Sequence, residues 1–204
     1  MRRWSVVVPA KRLTIAKTRL RPLTERLGAD HGDLVLALLA DTVAAAVAST
    51  AVAEVVVVTD DPAAADVVRF LGARTVPDLP DRGLNPALEH GARSATNPAV
   101  AALSSDLPAL RPSDLAAALQ AAGVGRSFVA DVDGTGTTLL AAVGTGLRPM
   151  FGDRSAEAHL ASGAVPLTGE WPGLLRDVDT EADLRAALSL GAGVRTTALV
   201  GRWR

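Results

Sequence analysis

The chain has 204 residues, 49% hydrophobic and 21% charged, which is enough to bury a core of ordinary size and too apolar for intrinsic disorder, so a single domain over residues 1–204 is expected. Cysteine is absent, which excludes disulfides, iron–sulfur clusters and thiol nucleophiles and makes a reduced cytoplasm the expected compartment. Net charge is only −1, yet residues 1–24 carry seven cations (Arg2, Arg3, Lys11, Arg12, Lys17, Arg19, Arg21) and no acid, so one end of the chain seeks anions.

In chain order, residues 5–8 are a short apolar β-branched run that reads as a buried strand. The basic segment after it is interleaved with Leu13, Ile15, Leu20 and Leu23 and has no stacking aromatics, so it suits a small polyanion better than nucleic acid. Both lysines of the chain, Lys11 and Lys17, fall in this loop. Neither the dinucleotide-binding G-x-G-x-x-G nor the P-loop G-x-x-x-x-G-K-[ST] occurs anywhere, so phosphates are expected to meet side-chain cations rather than a glycine nest. Residues 31–49 read as a helix. The long apolar tract 34–58 contains Asp41 and Glu54, and a central acid costs a membrane-spanning helix roughly 2.5–3.5 kcal/mol, so a buried helix followed by a strand at 54–59 is expected and no membrane partner. Helices are predicted at 62–71 and 85–95, a third buried strand at 99–103, and a further helix at 112–122. Residues 127–132 and 138–143 read as two strands joined by Gly and Thr, a hairpin inserted into the α/β rhythm, and 180–190 closes the pattern as a helix. This alternation predicts a doubly wound, mostly parallel α/β sheet with its ligands at the carboxyl ends of the strands.

The candidate chemistry lies on those ends. Asp106 follows the third strand, where it suits a metal ligand or a turn cap before Pro108. In Asp177-Val178-Asp179 an extended backbone would turn both carboxylates to one face, able to share a divalent cation with Asp106. Thr180 with Asp183 spells a capping box, which assigns Asp179 to the helix end and leaves Asp177 as the ligand. Asp131-Val132-Asp133 before Gly134 reads as a turn, with contact to a ligand as the lesser alternative. Gly134 to Thr138 offers small residues and hydroxyls that a ligand can approach closely, and Ser155, beside Gly152, is the expected N-cap of a short helix at 156–161 whose free amides would bind an anion. The histidines His31, His90 and His159 receive no catalytic role, and His31 and His90 show no evident partner.

Together VPAKRLTIAKTRL (8–20), GLNPAL (83–88), SSDLPAL (104–110), RSFVADVDGTGTTLL (126–140), FGDRSAEAH (151–159) and SGAVPLTGEWPGLLRDVDTEADL (162–184) resemble the guanylyltransferases of coenzyme F(420) biosynthesis, which act on 2-phospho-L-lactate or, in actinobacteria, on phosphoenolpyruvate. The resemblance implies a GT-A-like nucleotidyltransferase fold. It further implies that Lys11, Arg12 and Lys17 face the GTP phosphates, that Asp106 and Asp177 bind Mg2+, and that Thr137, Gly152 and Ser155 hold phosphoenolpyruvate. Lys11, Lys17, Asp106 and Asp177 are then the catalytic set, with Gly83 and Asn85 the candidates for the nucleoside. The implied reaction is GMP transfer from GTP to a phosphorylated three-carbon acid, with the next enzyme of the pathway as a candidate partner. Open alternatives are 2-phospholactate or 3-phosphoglycerate as acceptor, another nucleotidyltransferase such as a molybdenum-cofactor enzyme, a nucleotide-sugar glycosyltransferase, and a GTP-binding protein without chemistry.

Overall fold

The computed structural model describes residues 2–10, 16–79 and 82–203; Lys11 and Arg12 lie outside the described residues. In chain order the elements are β1 (Trp4–Pro9), a 3-10 turn (Thr18–Leu20), α1 (Arg21–Arg26), α2 (His31–Ala48), β2 (Val52–Val58), α3 (Pro62–Phe70), β3 (Arg74–Val76), α4 (Leu84–Arg93) and β4 (Ala99–Leu103). They continue with α5 (Pro112–Ala121), β5 (Gly125–Ala130), β6 (Thr137–Val143), α6 (Ser155–Ala161), β7 (Val165–Pro166), α7 (Pro172–Leu175), α8 (Glu181–Leu190) and α9 (Val194–Gly201). Every strand and helix expected from the sequence is present within a few residues of its predicted ends. The edge strands β3 and β7, the short helices α1 and α7, and α9 carry too few residues or too weak a pattern to be read in advance.

The seven strands form one sheet in the order β3-β2-β1-β4-β6-β5-β7. β2 and β4 flank β1 in parallel, β3 and β7 join the edges in parallel, and β6 runs antiparallel to both β4 and β5. The expected hairpin is therefore β5–β6, and it widens the sheet beside β4. Alternation along β1 divides the core between the two faces. Val6 and Val8 pack with Leu39, Val43, Val68 and Leu119 on one face, while Val7 packs with Leu88, Phe128 and Leu140 on the other. On that second face α4 lies so close that a Cβ at Gly91 would come within 2.5 Å of Val7 and 2.7 Å of Val58.

Helix α2 is long and apolar enough to cross a membrane by length and composition. Its burial is explained by packing on two sides: Leu39 and Val43 face the sheet, and Leu34 and Leu38 face an outer layer made by Leu20, Leu23, Leu184 and Leu199 of α1, α8, α9 and the 3-10 turn. A helix between two apolar layers has no polar face to show.

The candidate active site

Strand order reverses at β1, whose two neighbours are reached by crossovers in opposite directions, and the carboxyl ends of β1 and β4 open there onto a cleft of about 710 Å³. One wall is acidic. Asp106 leaves the end of β4, and its carbonyl accepts the amide of Val178 at 3.1 Å, which brings Asp177 and Asp179 to the same wall. Val178 is fully buried while both neighbouring aspartates line the cleft, so the one-face arrangement expected of this segment is realised, though in irregular backbone rather than in a strand. The segment that follows Asp106 is fixed from three sides: the Leu107 amide donates to Thr42 Oγ1 at 2.9 Å, the Gly193 amide to the Pro108 carbonyl at 2.7 Å, and α7 approaches closely at Gly173, where a Cβ would fall 2.0 Å from the Ala109 carbonyl oxygen.

Lys17 reaches into this wall. Its backbone is left-handed (φ 52°), a conformation that costs a non-glycine residue of order 1 kcal/mol, and its ammonium is clasped by Asp106 and by Asp179, the latter at 2.5 Å. Asp179 therefore is not the helix cap that the sequence suggested. Thr180 caps α8 together with Asp183 in a complete capping box, and the carboxylate of Asp179 is free to meet Lys17. Burial pushes the Asp177 carboxyl above its ordinary value; Lys17 lowers it, and the neighbouring Asp179 and Asp131 raise it further.

The rest of the lining comes from the β5–β6 turn and the start of α6, and it mixes hydroxyls and glycines with charged groups. Asp131 folds the β5–β6 turn by accepting the amides of Thr135 (2.9 Å) and Gly136 (2.8 Å), as expected of a turn residue. A Cβ at Gly136 would lie 2.3 Å from Asp131 Oδ2, so a side chain there would displace the carboxylate that folds the turn. Thr137 then enters the cleft, with its hydroxyl 2.9 Å from His159 Nδ1. Gly152 and Ser155 line the same part of the cleft, and Gly152 has φ 137°, so any side chain there is strained by backbone conformation and not by crowding.

Two expectations about this part of the cleft need correction, and one about His31. Ser155 is not the N-cap of α6 but its first residue; Arg154, left-handed at φ 51°, takes the cap position without a side-chain bond. Nor are the first amides of that helix free. Ser155 donates to the Gly152 carbonyl at 3.2 Å and Ala156 to the Thr135 carbonyl at 3.0 Å, the second bond tying α6 to the hairpin. Ser155 is 1% exposed. The expectation that His31 has no partner is also overturned. His31 holds the Ala16 carbonyl through Nε2 at 2.8 Å, just before Lys17, and His159 bonds through both ring nitrogens.

Of the nucleoside candidates, neither Gly83 nor Asn85 lines the cleft, although Leu84 and Leu88 of the same helix do. Asn85 uses both ends of its amide on the Phe151 backbone, donating to its carbonyl at 3.0 Å and accepting its amide at 2.8 Å, so it anchors the loop that carries Gly152. Asp131 and Asp133, read from the sequence chiefly as a turn, line the cleft, and so does Arg154, which was not singled out from the sequence.

A mostly parallel seven-stranded sheet with a cleft over its switch point is the architecture of the nucleotidyltransferase fold. Solved structures agree: a nucleotidyl transferase from Methanothermobacter superposes with a TM-score of 0.62 at 21% identity over 93% of this chain and 97% of that one. CMP:2-keto-3-deoxy-manno-octonic acid synthetase complexed with CTP superposes at 0.54 and 18% identity over 92% and 98%. Residues 4–165 match the family described as guanylyl transferase CofC like, and the chain belongs to that family. It is 68% identical to a phosphoenolpyruvate guanylyltransferase of Geodermatophilus obscurus over 98% of this chain and 95% of that one, and 54% identical to one of Salinispora arenicola over 97% and 94%.

Proposed function

We propose that the protein transfers GMP from GTP to the phosphate of phosphoenolpyruvate, giving enolpyruvoyl-diphospho-5'-guanosine and pyrophosphate, as a step of coenzyme F(420) biosynthesis. The observation that carries this reading is the gathering of two sets of residues in one cleft: Asp106, Asp177 and Asp179 around Lys17, and Thr137, Gly152 and Ser155. The relatives named for this activity support the choice of substrates.

A phosphate oxygen of the acceptor attacks the α-phosphorus of GTP in line. The new P–O bond forms as the bond from that phosphorus to the β-phosphate bridging oxygen breaks, and pyrophosphate leaves with the electron pair. The attacking phosphate is already ionised, so the reaction needs no general base, and among the described residues no histidine lines the cleft. The protein's task is to bring two mutually repelling anions together. Lys17, with Lys11 and Arg12 of the same loop, supplies positive charge to the triphosphate. Among the described residues no group of three His, Cys, Asp or Glu could hold a metal alone. Mg2+ is commonly bound by one or two carboxylates plus substrate phosphates, so the hard oxygen donors of Asp106 and Asp177 fit it. When bound there, the ion neutralises charge on the triphosphate. Thr137, Gly152 and Ser155 receive the carboxylate and phosphate of the acceptor. The cytoplasm is the proposed compartment, and the next enzyme of the pathway a proposed partner.

The test is pyrophosphate release from each of four NTPs against phosphoenolpyruvate, 2-phospholactate and 3-phosphoglycerate, with and without chelator. Release only from GTP with phosphoenolpyruvate and Mg2+ is expected. Equal rates with another acceptor or base overturn that part of the assignment, and tight GTP binding without release from any acceptor overturns the enzyme.

A further inference from the structure

His159 is fully buried between Phe128 and Phe151, with ring centroids 5.9 and 5.3 Å away, and both of its nitrogens are engaged. Nε2 lies 2.9 Å from the backbone amide of Met150. An amide can only donate, so Nε2 is an acceptor and carries no hydrogen. Burial, with the positive charge of Arg126 adding to it, pushes the ring's pKa down from 6.5 to about 4, so the ring is neutral at physiological pH and its single proton sits on Nδ1. Nδ1 is 2.9 Å from Thr137 Oγ1 and therefore donates to it. A hydroxyl has one hydrogen and two lone pairs. With one lone pair taken by His159, and no acceptor for the hydroxyl hydrogen among the described residues, that hydrogen is left for whatever enters the cleft.

We propose that His159 is a positioning residue for the acceptor subsite: it fixes the hydroxyl of Thr137 as a hydrogen-bond donor toward an anionic oxygen of the bound phosphorylated acid. The opposite tautomer would turn a Thr137 lone pair toward that oxygen and repel it. The inference rests on the reading that Thr137 holds the acceptor. It also explains why a histidine is buried in an otherwise apolar cluster, and why the Met150–Phe151 backbone and the hairpin meet on a single ring.

Two variants separate the nitrogens. The amide of His159→Asn reaches the Nδ1 position and keeps a donor for Thr137, whereas the longer His159→Gln reaches the Nε2 position, keeps an acceptor for Met150 and loses the donor. His159→Gln is expected to raise the KM for phosphoenolpyruvate about ten-fold with the KM for GTP within about two-fold, and His159→Asn to raise the former less than about three-fold. In a Thr137→Val background His159→Gln should add nothing. Equal effects of the two variants, the reverse order, or additivity with Thr137→Val overturns the inference. If Thr137→Val leaves the KM for phosphoenolpyruvate unchanged, the acceptor reading of Thr137 is wrong and the role of His159 falls with it. If Thr137→Val raises that KM and His159→Gln does not, the inference alone fails. Nitrogen NMR of the ring-labelled wild-type protein needs no variant to fold: a proton on Nδ1 is expected, and one on Nε2 overturns the assignment.

Discussion

Asp177 is held in the cleft against its own charge, and this makes its replacement informative. Burial and the nearby Asp179 and Asp131 raise its carboxyl, so ionising it at neutral pH costs the folded state more than the unfolded chain. Asp177→Asn is therefore expected to abolish turnover while raising Tm in the absence of divalent cation, a trade of stability for function. For a carboxyl with a raised folded pKa the cost grows as pH rises above the unfolded value near 3.8, so the stability advantage of the variant should fade below that pH. A variant less stable than wild type at pH 7 and equally active would remove Asp177 from the metal site. Lys17 gives the converse case. Lys17→Ala should lose about 1.5–3 kcal/mol of transition-state stabilisation, read from kcat/KM, and should also lower Tm because Asp106 and Asp179 are left facing Asp177 unpaired. Unchanged kinetics would leave the loop without a part in catalysis. Ser155 lacks the capping role that would confuse its test. Ser155→Ala should raise the KM for phosphoenolpyruvate without the loss of about 0.5–2 kcal/mol expected at an N-cap, and a fall in Tm with unchanged KM contradicts its place in the subsite.

At the scale of elements, the site depends on contacts between segments distant in sequence. α4 presses on the sheet through Gly91, and from its first turn Asn85 grips the Phe151 backbone, so the position of Gly152 follows from the seating of that helix. Asn85→Ala removes both bonds and is expected to raise the KM for phosphoenolpyruvate several-fold, at about 0.5–1.5 kcal/mol per hydrogen bond, with the KM for GTP little changed. The opposite pattern, a selective rise in the KM for GTP, would return Asn85 to the nucleoside. The motifs around residues 83–88 and 151–159 were both legible in the sequence. Their partnership was not, because a side chain that bonds a backbone leaves no pattern in either segment.

Across the whole molecule, the end of the sheet opposite the cleft is closed by a polar knot. Glu54 Oε1 accepts Ser5 Oγ, the Thr96 amide and Thr96 Oγ1, each at 2.6 Å, and Oε2 accepts Arg74 at 3.3 Å, joining β1, β2, β3 and the approach to β4. Burial pushes this carboxyl up, but those bonds outweigh it and hold it at about 2 against an ordinary 4.5. A depressed carboxyl stabilises the fold above its unfolded pKa and loses that contribution as pH falls toward its folded one. Glu54→Gln should therefore cost about 1–2 kcal/mol at pH 7, discounted for partial exposure, and the difference from wild type should shrink between pH 4.5 and about 2 in denaturant titrations. A difference that does not vary with pH would mean that the charge of Glu54 contributes nothing.

The sequence by itself determined the sheet-forming runs, the helices between them and the residues on the carboxyl ends of the strands, because burial on both faces leaves continuous apolar runs such as 55–58 and ligand loops interrupt them. It also marked Asp106, Asp177, Thr137, Gly152 and Ser155, whose surroundings in the chain are distinctive. Only the tertiary structure decided which carboxylate meets Lys17, that the first amides of α6 are already bonded, and that His159, given no catalytic role from the sequence, bonds Thr137. Each of those outcomes depends on distances between residues far apart in the chain, from Thr137 to His159, 22 residues on, to Lys17 and Asp179, 162 apart. Local propensity and hydrophobic period carry no information about which polar groups share one low-dielectric cleft, and that sharing sets protonation, hydrogen-bond direction and the cost of each charge.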